Sequence, residues 1–413
     1  MKNKIKSDPF LSLRNAEFSH FLQCCFLFSM SVRMLGTLVA WWIYQITKDP
    51  FSIGLIGLSE IIPAISFALY AGHLVDNAEK RKLLLKCIFS MGLIITAFLI
   101  ISIMSNHFFS IFTLKMIIYF LIFCGGIIRA FYGPCAGSIL PRIIEKKHRQ
   151  NAITWYRGSF FLAAVLGHSL VGFLISYIGN TGSLIVILVF ILTSFFLAIK
   201  LKSHHLLELK KYTPIFKSIK EGIVFVYKTK AILGVLSLDL FAVLFGGAVA
   251  MIPVFAADIL QVGPIGFGWL NAAADIGSIC MIFTLILFPI KTNQGIKMLL
   301  AVGIFGGCMI IFALSKIFWI SFIALLVSGL VDGISIVIRG TVVQLYTPDN
   351  MQGRVLSVNS IFINSSNELG QFESGIAAKL MGVIPSVVFG GIMTIGVVLT
   401  TYLFNPAVKK LKY

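Results

Sequence analysis

Long apolar stretches separated by short polar connections run through the whole chain. Most stretches hold about 18 to 25 residues, which is the length of helix that crosses the hydrocarbon layer of a bilayer. A helix also satisfies its own backbone hydrogen bonds, as a segment without access to water must. The pattern therefore predicts twelve spanning helices, at residues 20–44, 51–75, 83–105, 108–132, 152–178, 182–200, 231–255, 264–288, 297–314, 317–340, 354–380 and 383–404.

One long polar connection divides these stretches into two sets of six. It runs from Lys200 to Lys230 and includes an amphipathic pattern near residues 216–227, which predicts a helix on the cytoplasmic surface. All other connections are short. We therefore expect two six-helix bundles, residues 1–200 and 231–413, joined by a basic linker at 201–230.

The two sets also carry a weak internal repeat. Ile53–Leu58 resembles Ile265–Leu270, and Gly126–Pro141 has the same spacing as Gly333–Pro348, both at an offset of about 210 residues. Parallel repeats in carriers are related by an axis along the membrane normal and enclose a binding site near mid-depth. The expected fold is an all-α membrane protein with a cavity between its two bundles.

Composition and charge distribution decide the class of protein. Hydrophobic residues make up 58% of the 413 residues and charged residues 12%, which leaves too little polar material to cover a soluble globule. The net charge of +18 could indicate a nucleic-acid binder, but most of the 34 Lys and Arg residues lie on one side of the predicted spans. Such an excess is typical of cytoplasmic loops. We expect a multi-pass protein of the bacterial inner membrane, with both termini cytoplasmic and no nucleic-acid partner.

The sequence lacks the usual patterns of metal sites and of enzymes. Its seven cysteines lie in or beside apolar stretches, without C-x-x-C or Cys/His spacing. G-x-S-x-G, H-E-x-x-H and P-loop motifs do not occur. We expect no metal, no cofactor and no enzymatic activity.

Charged side chains inside the predicted spans are the candidate functional groups. Each would cost about 2.5 to 3.5 kcal/mol if it faced lipid at the bilayer centre. They must therefore face one another or a wet cavity. The nine such residues are Arg33, Glu60, Arg129, Asp239, Asp275, Asp332, Arg339, Glu368 and Glu373.

Helical spacing leaves alternatives for most of these residues. Arg33 and Glu60 lie at similar depth on neighbouring helices, so they either pair or serve substrate and proton. Arg129 and Arg339 lie near predicted cytoplasmic ends, where their side chains could also reach water. His168 is either a packed hydrogen-bond donor or a proton relay.

Two carboxylates are sharper candidates for reversible protonation. Asp275 and Glu368 are near mid-depth and have polar neighbours on the same helix faces. The neighbours are Asn271 and Ser278 for Asp275, and Asn364, Asn367 and Gln371 for Glu368.

The charged turn between the second and third spans carries a family resemblance. Gly72, Leu74, Asp76, Lys80, Arg81 and Lys82 resemble the signature loop G-x-L-x-D-x-x-x-R-[KR] of the major facilitator superfamily, although Asn77 and Glu79 replace its usual Arg and Gly. In that family the Asp and Arg of the loop lock the cytoplasmic gate. The resemblance therefore implies a gating role for Gly72, Asp76 and Arg81.

Other segments extend the resemblance over essentially the whole chain. Arg129–Gly133 is similar to the fourth-helix R-x-x-x-G motif, whose Arg the family links to proton coupling, and Gly167–Gly172 partly matches the fifth-helix antiporter motif. Trp41–Thr47, Gln344–Arg354 and Ser366–Gly375 resemble the enterobactin-exporter branch, which also includes drug and macrolide efflux pumps.

These resemblances imply a function and a set of sites. We expect a monomeric secondary transporter that exports a small secondary metabolite, a siderophore, to the periplasm by proton antiport with alternating access. A multidrug or macrolide efflux pump is the alternative. The partners of the expected transporter would be the substrate, protons and membrane lipid. The expected substrate cavity comprises Arg33, Glu60, Asn271, Asp332, Asn364, Asn367 and Gln371, and the expected proton-coupling residues are Arg129, Asp239, Asp275 and Glu368.

Overall fold

The computed structural model describes residues 10–203, 215–348 and 351–412. Within these ranges it describes only the backbone of residues 68, 69, 72, 73, 76, 77, 105–108, 215–219, 248, 357 and 364. The regular elements of this part of the chain are helices. The long ones are α1 (Ala16–Thr47), α2 (Pro50–Asn77), α3 (Lys80–Phe108), α4 (Ile111–Ile143), α5 (Arg149–Ile199), α6 (Ile215–Lys228), α7 (Lys230–Phe245), α8 (Gly263–Leu287), α9 (Gln294–Leu314), α10 (Phe318–Tyr346), α11 (Gln352–Met381) and α12 (Val383–Phe404).

Polar residues before the apolar runs start several of these helices. The side chain of Asn15 accepts a hydrogen bond from the Phe18 backbone N–H at 3.1 Å and caps α1. Asp49 caps α2 in the same way, and Pro50 follows at the first helical position. Ser110 caps α4. Such caps satisfy backbone donors that have no partner within the helix.

Helix α5 contains two of the predicted spans. At Gly179 the backbone leaves helical geometry with φ of 69°, a region that glycine adopts without strain. The two arms of α5 pack against α1 and α3. With α5 counted as two passages, α1–α5 and α7–α12 make the twelve spanning helices that the sequence predicts. Helix α6 is the amphipathic helix predicted in the linker.

The predicted span at 231–255 is not one continuous helix. Helix α7 ends at Phe245, and Gly246 and Gly247 separate it from short helical turns that continue to Ile259. A Cβ on Gly247 would meet the backbone of Gly370 in α11, so the break occurs at a close contact with that helix. The periodicity of the apolar run could not indicate this contact.

The twelve helices form the two bundles of a carrier fold, one from each half of the chain. We call the side where α1 begins and α12 ends the terminal face, and the side where α1 ends and α2 begins the distal face. The two halves meet mainly through α2 against α11 and the first arm of α5 against α8. Gly54 touches Gly375 in the first contact, and Gly172 touches Gly268 in the second. Both glycine contacts lie toward the distal face.

Candidate functional site

Arg129 and Glu60 form an ion pair at mid-depth in the first half. The Arg129 Nη2 atom lies 2.8 Å from Glu60 Oε2. Gly126, one turn away on α4, abuts the Glu60 carbonyl and Pro63, so the two helices are close enough for this pair. Helix α4 extends to Ile143, well past the predicted end at residue 132, and Arg129 therefore lies near its middle. The prediction that Arg129 lies near a helix end was wrong, because α4 continues through Pro134 and Pro141.

Glu60 also lies near enough to Glu368 of α11, across the two halves, to interact with it electrostatically. Helix α11 reaches α2 closely here because Gly57 abuts the Glu368 carbonyl and the side chain of Gln371. The structure thus pairs Glu60 with Arg129, a partner that the sequence pattern did not indicate. Arg33 instead lies over the ring of Phe160, 5.3 Å from its centroid.

His168 is the centre of a second contact between the halves. Its Nδ1 atom is 2.5 Å from Thr37 Oγ1 on α1, and its Nε2 atom is 3.5 Å from Asp275 Oδ2 on α8. Asp332 of α10 lies near enough to interact electrostatically with Asp275. His168 thus makes the packed hydrogen bond expected of a buried histidine and also faces a carboxylate of the other half.

Asp239 and Arg339 form a separate ion pair inside the second half. Their side chains are only 9% and 8% exposed. Asp239 borders a small cavity of about 20 Å³ that is also lined by Val243, Phe305 and Asp332. Asp239 therefore has its ion-pair partner within its own half.

The predicted amide residues are divided between several environments. Asn271 donates to the Phe267 carbonyl of its own helix at 2.9 Å. Gln371 contacts Gly57 in the α2–α11 interface, and Asn367 is exposed. The side chain of Asn364 lies outside the described residues. The three predicted amides whose side chains are described thus lie in three different environments.

The predicted gate residues are only partly described. Only the backbone is described at Gly72 and Asp76. Arg81 donates through Nη2 to the Ile199 carbonyl at 2.6 Å, which ties α3 to the end of α5. Next to it, Glu79 accepts from Lys82 at 2.7 Å and from Ser203 at 2.8 Å, and the hydrogen bond from Lys82 lowers the pKa of that carboxyl.

The distal face holds contacts that sequence reasoning missed. Tyr44 at the end of α1 donates a hydrogen bond to Asp258, and Lys48 lies 3.9 Å from the same carboxylate. Trp41 stacks on Phe267 at 5.2 Å. Asp258 follows the apolar run of the seventh span, where an acidic residue usually faces water, so its position gave no signal. These contacts join the two halves at the distal face.

Two glycines of α4 on the terminal side of Arg129 have open space beside them. Toward the terminal face from Arg129, a Cβ at Gly133 or Gly137 would meet no atom within 4 Å. The described contacts near the terminal face, such as Arg354 with Glu221 and Lys202 with Glu17, join residues of the same half or of the linker. The described contacts between the two halves that are named above lie at mid-depth and at the distal face.

Comparison with known proteins gives the same fold. The nucleoside transporter NupG has a TM-score of 0.72 to this chain at 13% identity, over 96% of this chain and 99% of that one. A POT family transporter in complex with a thioalcohol-conjugated peptide has a TM-score of 0.73 at 12% identity, over 95% and 96%. A bacterial homolog of the human lysosomal transporter Spinster, inward-facing and unoccupied, has a TM-score of 0.65 at 14% identity, over 94% and 96%.

Sequence comparison supplies the family. No curated protein sequence matches the chain. The family model described as Major Facilitator Superfamily matches residues 21–371, most of the chain. The chain therefore belongs to the major facilitator superfamily and is a multi-pass membrane transporter, not an enzyme.

Proposed function

We propose that this transporter exports a small anionic secondary metabolite of the siderophore class from cytoplasm to periplasm, in exchange for protons. The observation that carries the proposal is Arg33, a cation at mid-depth with an aromatic ring, Phe160, beneath its guanidinium. A guanidinium binds carboxylate or phenolate oxygens, and a neighbouring ring stacks on aromatic groups. This pairing suits a polar aromatic anion better than a neutral drug.

The ion pairs near Arg33 support different roles for the charged residues, substrate binding for some and proton binding for others. Arg129 is neutralised by Glu60, whereas Arg33 has no carboxylate within 4 Å among the described side chains. We assign substrate binding to Arg33, with Asp332 and Gln371 as flanking polar groups. The exchangeable protons are assigned to Asp275 and Glu368. Asp239 is assigned a supporting role, since it is paired with Arg339.

Alternating access follows from rocking of the two bundles. In this proposal residues 1–200 and 231–413 move as units about the mid-depth site, the segment 201–230 links them, and the loop with Gly72, Asp76 and Arg81 locks the terminal face when it closes. The terminal face is cytoplasmic in this arrangement, in a bacterial inner membrane, and the transporter acts as a monomer.

The substrate class is tested by mass spectrometry of culture medium and cell extract from an iron-starved deletion strain beside its parent. A siderophore depleted outside the deletion strain and accumulated inside it supports export of this metabolite and identifies it. An unchanged siderophore on both sides, with increased sensitivity to drugs or macrolides, would transfer the assignment to drug efflux.

Replacing Arg33 by Gln is expected to weaken binding of the anionic substrate about tenfold or more. A hydrogen bond to a charged group contributes about 1.5 to 3 kcal/mol, and Gln keeps a donor but loses the charge. The measurement is the apparent affinity for substrate in uptake by inside-out vesicles. Lys316→Gln removes one positive charge at an exposed distal position and serves as control. Equal affinities for the two variants would contradict the assigned role of Arg33.

A further inference from the structure

We propose that His168 and Asp275 hold one exchangeable proton between them, across the contact of the first arm of α5 with α8. The proposal rests on the proposed proton antiport and deepens it, because it adds a histidine of the first half to the proton-binding residues. The sequence pattern left His168 as either a packed hydrogen-bond donor or a proton relay. The structure gives each of its ring nitrogens a contact of its own.

Thr37 determines which ring nitrogen of His168 carries the hydrogen. The Thr37 Oγ1 atom lies 3.0 Å from the Arg33 carbonyl oxygen, and a threonine within a helix commonly donates to the carbonyl one turn before it. A hydroxyl has one hydrogen, so Thr37 accepts at its other contact, which is 2.5 Å from His168 Nδ1. His168 therefore carries its hydrogen on Nδ1 when the ring is neutral.

The opposite ring nitrogen then faces Asp275 without a hydrogen of its own. His168 Nε2 is 3.5 Å from Asp275 Oδ2, an ion-pair distance. The second nitrogen of a neutral imidazole is an acceptor, and an ionised carboxylate has acceptors only. Two acceptors in contact repel each other, the more so where burial removes screening water. One added proton makes the contact attractive, either as a carboxyl O–H that donates to Nε2 or as an Nε2–H that donates to the carboxylate.

Burial at the interface of the halves leaves these two groups few other partners. The side chains of His168 and Asp275 are 14% and 26% exposed. A Cβ at Gly268 would lie 2.6 Å from the His168 carbonyl oxygen, so α5 and α8 touch at this level. In the part of the chain that the structure describes, no Lys or Arg nitrogen lies within 4 Å of the Asp275 carboxylate. His168 is therefore its described partner.

The second half offers one other carboxylate to this region. Helix α8 carries no charged residue besides Asp275, and on α10 Arg339 pairs with Asp239. Gly333 of α10 abuts the α8 backbone one turn beyond Asp275, which places Asp332 beside this contact. The test must therefore distinguish the two carboxylates.

The first half offers one cation. Arg33 of α1 lies beside the contact, because a Cβ at Gly167 would meet the Arg33 Cβ atom at 3.1 Å. The other charged side chains on the helices that pack here lie toward one end of their helix or are paired. They are Glu17–His20 of α1, Lys80–Lys86 of α3, Lys115, Arg129 and Arg142 of α4, Arg149 and Arg157 of α5, and Asp258 before α8.

The location of the site links proton binding to the position of the two halves. His168 belongs to the first half and Asp275 to the second, and the contact of Gly172 with Gly268 lies on the distal side of this pair. Opening of the distal face would part all of these residues, and the proton would lose one of the two groups that hold it. Acid therefore favours the closed contact, by at most about tenfold per pH unit for a single linked proton.

The test is nitrogen NMR of the purified full-length protein in nanodiscs, with isotope-labelled histidine and without substrate. The signals of His168, one of seven histidines, are those absent from His168→Gln. Between about pH 5 and about pH 9, Nδ1 is expected to keep its hydrogen, and the Nε2 signal is expected to shift as the shared proton binds and leaves. A hydrogen fixed on Nε2 and absent from Nδ1 at every pH would overturn the proposal, as would an Nε2 signal that does not change.

Two variants identify the carboxylate. Asp275→Asn is expected to abolish the pH response of His168 Nε2, because an amide N–H donates to this nitrogen without an added proton. Asp332→Asn, the same change in the neighbouring carboxylate, is expected to keep the response. A response that survives in Asp275→Asn would show that the proton belongs to another pair.

Thr37→Val removes the acceptor of the Nδ1–H group and keeps the shape of the side chain. The hydrogen of the neutral ring is then expected to move to Nε2, where the Asp275 carboxylate accepts it. Thr193→Val is the matched control, because Thr193 is exposed on α5 and donates to the Val189 carbonyl of its own helix at 2.8 Å. The same His168 tautomer in both variants would contradict the role of Thr37.

This outcome is separate from that of the export experiment. If His168 Nε2 responds to pH as expected and the siderophore is not transported, the proton site stands and the substrate class falls. If siderophore is exported and His168 Nε2 ignores pH, the substrate class stands and the proton site falls.

Discussion

Replacing Arg339 by Met is expected to lower the free energy of unfolding by about 3 to 5 kcal/mol, the usual cost of leaving one partner of a buried ion pair uncompensated. Asp239 would be the residue left, with its side chain only 9% exposed. Met fills much of the space of the arginine stem, so loss of packing contributes little. Thermal unfolding of the purified protein in detergent measures the effect.

Two further variants separate the charge from other causes. Asp239→Asn with Arg339→Met removes both charges and is expected to recover most of the lost stability. Lys297→Met removes an exposed cation and is expected to change stability by no more than about 0.5 kcal/mol. If the double variant is as unstable as Arg339→Met, the stability depends on packing and not on the ion pair.

Gly172→Val is expected to reduce transport about 5- to 150-fold while the protein stays folded. A Cβ at this position would lie 3.1 Å from the Cα atom of Gly268 and still closer to the Pro264 carbonyl oxygen. Backbone atoms cannot move aside as a flexible side chain does, and overpacking of this kind costs about 1 to 3 kcal/mol. Because the conflict exists only while the halves touch at the distal face, the cost falls on the closed state and shifts the population toward the open state.

Gly158→Val on the same helix is the matched control. A Cβ there would meet no atom within 4 Å, so transport should stay near that of the unmodified protein. Spin labels on Ser110→Cys and Met381→Cys, two exposed positions at the distal face, should report a longer distance in Gly172→Val than in Gly158→Val. Equal transport by both variants would show that close approach of Gly172 and Gly268 is not needed in the transport cycle.

Most of the fold was predictable because the bilayer excludes water, and a chain that crosses it must form apolar helices of a fixed minimum length. The number of spanning helices and their grouping into two bundles follow from apolar length, and the signature loop near Arg81 agrees with the family match. The break after Phe245 and the continuous helix through Pro134 were not predictable. Both depend on which neighbour packs against the backbone, and hydropathy carries no information about that.

The positions of some site residues along their helices were predictable, but their pairing was not. Sequence position predicted Asp275 and Glu368 near mid-depth, and both lie near the middle of their helices. It did not indicate Arg129 as the partner of Glu60, because the predicted end of the fourth helix at residue 132 put Arg129 near the cytoplasmic surface. Asp258 was missed because it lies at the end of an apolar run and not within one.

The polar character of α11 has a consequence for biogenesis. It is the least hydrophobic of the spanning helices and carries Glu368 and Glu373, and a charged side chain at the bilayer centre costs about 2.5 to 3.5 kcal/mol during insertion. Its main partner, α2, is synthesised long before it. We therefore expect α11 to enter the bilayer efficiently only when the first half is already assembled. A second half that is synthesised alone would lack α2, against which α11 packs.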